Sequence, residues 1–280
     1  MAGIQTQEGL FRNPTNGRRL FYRLWNAKGD RALVVIIHGF GEHGGRYTAL
    51  AQAFAEKGLT VACSDLWGHG RSAGQRGDID QFHQYLDDLE AVARHVFLAW
   101  TSQRRVVVFG HSFGGLVTIH WALQRPEAFR CLILQSPLLG VGFSVPKWKE
   151  RLAASLGQWW QRLSVSTGLD PTWLSHDPSV VQCYREDPFV HRRISLRCYH
   201  MLRAAMSQAI ERAASLTSPT LVLHGTEDRV ISLTVCRDFF NTLACKKQLV
   251  RFPGCYHELH HESVRPAVVE TVLQWISAYA

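Results

Sequence analysis

Apolar and polar positions along this chain sort into two alternating kinds of segment. Short, mostly apolar runs occur at 33–37 (LVVII), 59–63, 106–109, 131–135 (CLILQ), 219–224 (PTLVLH) and 248–252. Between them, apolar residues recur at helical spacing. Residues 46–57 form one such stretch and stop before Gly58, a common helix terminator. Residues 79–100 form another, with Phe82, Leu86, Leu89, Val92 and Val96 on one face. A third covers 113–124 and closes before Pro126; further helices are expected near 233–243 and from about 263 to 279. Strand-length runs separated by amphipathic helices indicate an α/β fold, a mostly parallel sheet covered by helices on both faces.

The alternation breaks between 136 and about 216, where the pattern is helical or irregular with no convincing strand. An all-helical stretch inside a sheet protein reads as an insertion over the C-terminal edge of the strands, where ligands of such sheets bind. The expected organisation is a core of residues 1–136 and 217–280 with a helical cap at 137–216.

The run at 106–109 leads into GHSFGG, Gly110 to Gly115. Gly-X-Ser-X-Gly between a strand and a helix is a nucleophile elbow: the turn strains the serine backbone, and the glycines remove side chains that would collide. Ser112 is the candidate nucleophile. A serine hydroxyl needs a base oriented by a carboxylate, and in this architecture the chain order is Ser, Asp/Glu, His. The run at 219–224 ends in Gly225-Thr226-Glu227-Asp228, which makes Asp228 the first candidate acid and Glu227 the second. Beyond the last run, Pro253-Gly254-Cys255-Tyr256-His257 places His257 on a loop as the candidate base. His260 and His261 fall near the next helix start, expected to face solvent or their neighbours.

The stretch HELHH, 257–261, also matches the zinc motif HExxH. Zinc needs both histidines on one face of an established helix and a third ligand. Glycine and proline just upstream imply a loop instead. An oxyanion hole would use the backbone N–H of Phe113 and, from His38-Gly39-Phe40-Gly41, that of Phe40.

Composition narrows the partners. A net charge of +8 suits an anionic membrane or nucleic acid, but no lysine/arginine block and no nucleic-acid motif accompanies it. The charge therefore reads first as a solubilising surface, and nucleic acid is not an expected partner. Seven scattered cysteines without CxxC spacing read as reduced thiols. No apolar h-region opens the chain, so a cytoplasmic location is expected. Residues 146–164, PKWKERLAASLGQWWQRLS, carry tryptophans and leucines near helical spacing among basic residues. Such a stretch can lie peripherally on an anionic membrane or pack its apolar stripe over the pocket. Ten basic against six acidic residues over 137–215 favour an anionic surface modestly.

With these residues in hand, the chain resembles an α/β-hydrolase of the monoacylglycerol lipase and lysophospholipase group. The resemblance is carried by HGFGEHGGRY (38–47), SDLWGHGRSAGQRGDIDQF (64–82), GHSFGG (110–115), LHGTEDRV (223–230) and GCYHELHHE (254–262), in the family's order. EDPFV at 186–190 resembles a segment of bacterial members. The resemblance implies the α/β-hydrolase fold with a helical cap inserted after the sixth strand. It also implies nucleophile Ser112, acid Asp228, base His257 and oxyanion donors Phe40 and Phe113. No metal, no organic cofactor and no obligate protein partner is expected. The expected substrate is a single-acyl-chain lipid ester, a monoacylglycerol or lysophospholipid. The alternatives are a broad carboxylesterase or acyl-thioesterase with the same triad, and a ligand-binding module on this fold.

Overall fold

A computed structural model describes residues 4–27, 31–97, 106–142 and 160–279. Its strands are β1 (Gln5–Arg12), β2 (Arg19–Asn26), β3 (Leu33–Ile37), β4 (Thr60–Ser64), β5 (Val106–His111), β6 (Phe129–Gln135), β7 (Ser164–Ser166), β8 (Arg193–Ser195), β9 (Thr220–Gly225) and β10 (Lys247–Phe252). The helices are α1 (Thr48–Glu56), α2 (His83–His95), α3 (Phe113–Gln124), α4 (Pro178–Glu186), α5 (Leu196–Glu211), α6 (Leu233–Thr242) and α7 (Arg265–Ala278).

Eight strands form one sheet in the order β1-β2-β4-β3-β5-β6-β9-β10. From β4 to β10 all neighbours are parallel; β2 joins β4, and β1 joins β2, antiparallel. In β3, Leu33, Val35 and Ile37 enter one apolar layer while Val34 and Ile36 enter the other, the two-residue alternation of a strand covered on both faces. Helices α2, α3, α5 and α6 fill the first layer with residues such as Leu89, Leu116, Leu202 and Phe239. Helices α1 and α7 fill the second with Phe54, Val272 and Trp275.

Three details depart from the sequence pattern. The β1–β2 hairpin adds two strands not expected from sequence: β1 is an edge strand with alternate residues exposed, and in the mostly buried β2 the apolar run is interrupted by Arg23. The α2 helix is confined to His83–His95, and residues 98–100 of the expected stretch lie outside the described residues. The insertion between β6 and β9 was expected without strands, yet β7 and β8 pair in it as a two-stranded antiparallel sheet. Three polar-flanked residues per strand are too few to show a period. The amphipathic stretch at 146–164 is described only from Trp160 onward.

The site follows from the strand order. β3 lies between β4 and β5, so the loops after β3 and β5 leave neighbouring strands at a switch point and open a crevice at the C-terminal edge. Ile37 pairs with Gly110 there. Helix α3 then passes so close to β3 that a Cβ on Gly114 would strike the carbonyl oxygens of Ile37 and His38. A Cβ on Gly110 would likewise meet Thr118 Oγ1 and the Gly114 carbonyl. Gly114→Ala is therefore expected to cost about 1–3 kcal/mol through overpacking. A lower urea midpoint at unchanged slope is the measurement that checks it.

Candidate active site

Ser112 follows the last residue of β5 and stands at the N-cap of α3 with φ 51° and ψ −116°. Only Ser136 shares a positive φ among the described non-glycine residues. Such a conformation costs on the order of 1–3 kcal/mol and persists where neighbours enforce it. Here the Ser112 N–H donates to the Gln135 carbonyl (2.9 Å), while its own carbonyl accepts from Gly115 (2.9 Å) and Leu138 (2.9 Å) N–H groups. The residue is held on both sides of its peptide planes.

His257 sits on the loop after β10, buried to 3% exposure. Its Nδ1 donates to Asp228 Oδ2 at 2.8 Å, leaving Nε2 to take up a proton. The other Asp228 oxygen accepts from the N–H groups of Val230 (2.8 Å) and Ile231 (2.9 Å). Glu227, the second candidate from sequence, is exposed and donates its N–H to the Cys255 carbonyl instead. Burial works to raise the Asp228 carboxyl, but His257 and its hydrogen bond outweigh it and hold the group down to about 2. For His257 the balance is reversed in sign. Burial works downward, and Asp228, with Glu258 and Glu42 behind it, lifts the imidazole above its ordinary value of 6.5.

A buried charge cluster ties the loop after β3 to the His257 loop. Glu42 Oε1 accepts from the Gly39 N–H (2.6 Å) and from the Tyr47 hydroxyl (2.6 Å). The Arg46 guanidinium bonds Glu42 and grips Glu258 with two hydrogen bonds of 2.6 and 2.7 Å. Burial would raise Glu42, but Arg46 holds it ionised, well below the usual carboxylate range. Two carboxylates against one guanidinium leave one negative charge in excess beside His257. Sequence reading did not single out Glu42, Arg46 or Glu258 for this. The signal was present as charged residues at i and i+4 inside an otherwise apolar-flanked loop, HGFGEHGGRY.

Of the two surroundings expected for His260, solvent or neighbours, it takes the second: it is buried to 1% exposure and stacked on Tyr47 with ring centroids 4.6 Å apart. The Gln135 amide donates to Nδ1 of both His111 (3.0 Å) and His260 (2.8 Å), so each ring carries its proton on Nε2. The His111 ring lies 4.7 Å from that of His257. Burial, then the charge of His257, pushes His111 down to about 4. Ser136 adds a bond from its hydroxyl to the His257 carbonyl (3.3 Å). Neither Gln135 nor Ser136 carries a sequence signal.

The residues 257–261 form a loop and one 3-10 turn, Leu259–His261. Their arrangement differs from a helical zinc site, since His257 is bonded to Asp228. Glu258, His260 and His261 do bring ligand atoms within 4.8 Å of one another. Both oxygens of Glu258, however, are engaged by Arg46, and a cation would meet that positive charge.

Ser112 and His257 line one cavity of about 360 Å³, together with Gly39 and Phe40. Its walls are mainly apolar: Leu138, Val141, Leu169, Leu202, Met206 and Ile231 among them. Several of these come from the insertion. Neither the Phe40 nor the Phe113 N–H has an acceptor among the described residues. NMR titration of the His257 ring is expected to give a midpoint above 6.5. In Asp228→Asn, which removes the main charge raising it, the midpoint should fall by about 1–3 pH units.

Comparison with known proteins places this arrangement. Residues 28–264 match the family described as Hydrolase_4, serine aminopeptidase S33. The chain is 32% identical to a monoacylglycerol lipase of Mycolicibacterium smegmatis over 94% of either chain. It is 31% identical to phospholipase YtpA of Bacillus subtilis over 91% of its own length and 100% of that protein. The crystal structure of the Paleococcus ferrophilus monoacylglycerol lipase superposes with a TM-score of 0.85 at 31% identity, covering 93% of this chain and 99% of that one. The strained serine at the sheet edge thus belongs to a recognised lineage: this chain is a member of the serine aminopeptidase S33 family of α/β-hydrolases, an ester hydrolase similar to monoacylglycerol lipases.

Proposed function

We propose that this protein hydrolyses a lipid ester with one acyl chain, a monoacylglycerol or a lysophospholipid, through Ser112, Asp228 and His257. The observation that carries the reading is that Ser112 and His257 face one apolar cavity while His257 Nδ1 is bonded to Asp228. His257 Nε2 takes the proton as Ser112 Oγ attacks the ester carbonyl, and the N–H groups of Phe40 and Phe113 receive the oxyanion. His257 then protonates the departing alcohol. Water repeats the sequence on the acyl-enzyme and releases the fatty acid. Ionised Asp228 keeps the imidazole in the working tautomer and stabilises its protonated form.

Residues 137–216 act in this reading as a cap, supplying Leu169, Leu202 and Met206 to the acyl slot over a core of 1–136 and 217–280. The cavity volume falls within the range of sites that enclose small molecules. On the cap surface, Trp160 is 62% exposed, with Leu163 and Val165 also exposed and the Arg162 side chain beside them. No helix among the described residues is long and apolar enough to cross a membrane. This rim is suited to peripheral contact with anionic lipid.

Ser112→Ala is expected to lower kcat by about 10⁴–10⁶-fold. Because neutral His257 is the base, kcat/KM should fall as pH drops, along a limb centred above 6.5. Rates across esters of graded acyl length and head group separate the lipid reading from a broad carboxylesterase, which would favour short chains, and faster turnover of a matched acyl-thioester would mark a thioesterase. Co-sedimentation with anionic vesicles at low salt, lost at high salt, is the outcome expected for the exposed rim.

A further inference from the structure

Residues 187–191 of the insertion lie across the loop that follows β3, and their contacts are of a kind that a substrate cover does not need. The His191 N–H donates to the Gly41 carbonyl at 2.7 Å. Gly41 has φ 80°, and a Cβ there would run into the His191 carbonyl oxygen. Two residues on, the His43 ring is used at both ends. Its Nδ1 accepts from the Gly45 N–H (3.1 Å), so Nε2 carries the proton and donates to Asp187 Oδ2 (2.9 Å). A neutral imidazole suffices for this clip. The second Asp187 oxygen accepts from the Phe189 N–H (2.8 Å), turning the segment toward the loop. The rings of His191 and Phe189 meet those of Phe40 and His43 edge to face, each at 5.8 Å.

The segment is itself anchored to the core. The Ser195 N–H donates to the Gly77 carbonyl (3.0 Å), and Asp78 accepts from the Ser195 hydroxyl (2.6 Å) and from Arg197 (2.6 Å). Glu42 holds the Gly39 end of the β3 loop from beneath, and residues 187–191 hold Gly41 and His43 from above. Phe40 lies between these two grips. Neither His43 nor Asp187 lines the cavity of Ser112, so neither is placed to touch substrate.

We propose that Asp187 and His43 are positioning residues for catalysis, fixing the Phe40 N–H in the oxyanion site through the strap 187–191. The inserted segment therefore sets kcat as well as substrate fit. This rests on the assignment of Phe40 as an oxyanion donor.

The test uses the full-length protein as Asp187→Ala, His43→Asn and the double variant. His43→Asn keeps a short acceptor for the Gly45 N–H but cannot reach Asp187, so it serves where Asp187→Ala fails to fold. On p-nitrophenyl acetate, whose acyl group has no need of a long slot, kcat should fall by about 10–100-fold with KM within about twofold. Affinity for an alkyl boronic acid, whose tetrahedral serine adduct places an oxygen in the oxyanion site, should fall by the same factor. Affinity for free fatty acid should hold. The double variant should lose no more than the worse single one. Unchanged kcat on the short ester, or a loss confined to KM for long esters, overturns the proposal. Ser112→Ala run in parallel detects failure of the underlying hydrolase reading: wild-type turnover in that variant removes both, whereas wild-type turnover in the strap variants alone removes only the strap.

Discussion

The backbone at Ser112 turns through a conformation that an L-residue adopts only when its surroundings require it. What requires it is distributed: the Gln135 carbonyl takes its N–H, and three amides of the following turn and of the chain after β6 converge on its own carbonyl. Those partners exist because β5 and β6 run in parallel register and because α3 is pressed against β3 with no side chain at Gly114 to hold it off. The sharp turn, the nearness of the β3 loop and the exposure of the hydroxyl are one packing solution. A strained residue can be kept for function where the rest of the fold overdetermines it.

Charge is distributed with equal economy around His257. Two neighbouring imidazoles, His111 and His260, are kept neutral by burial and fixed by one Gln135 amide. The charged groups that favour protonation of the His257 ring are anionic: Asp228 in contact, with Glu258 and Glu42 further off and half-compensated by Arg46. Because the His257, Asp228, Glu42 and Glu258 side chains are all buried, their charges act on one another with little screening. The cluster also couples His257 to the loop after β3, since Glu42 holds the Gly39 N–H while Glu258 adjoins His257.

Much of this is legible in the sequence, for identifiable reasons. β3, β4, β5, β6 and β9 are buried on both faces and so read as apolar runs, whereas edge strand β1 alternates with exposed positions and did not. Ser112 is marked by its glycine neighbours, because the elbow is a local steric requirement. Asp228 reads ahead of Glu227 in the sequence, and the fold supplies the reason: a single residue step at a strand end decides which carboxylate turns inward, and it is Asp228 that meets His257. Which of its two expected surroundings His260 takes, solvent or neighbours, is decided less locally. Its burial is made by Tyr47 and Gln135, which come from segments more than a hundred residues away. The His43–Asp187 bond is of the same class, spanning 144 residues, and no short-range pattern announces it.

Gly41 and Gly77 have a consequence for how such proteins can diversify. Each faces a backbone carbonyl of the insertion, that of His191 and that of Arg193, with no room for a methyl group between them. An engineer wishing to transplant a foreign lid onto this scaffold would have to preserve the main-chain path at 191 and 193 whatever side chains the graft carried. Equally, any drift to a larger residue at 41 or 77 would force the two halves of that seam apart.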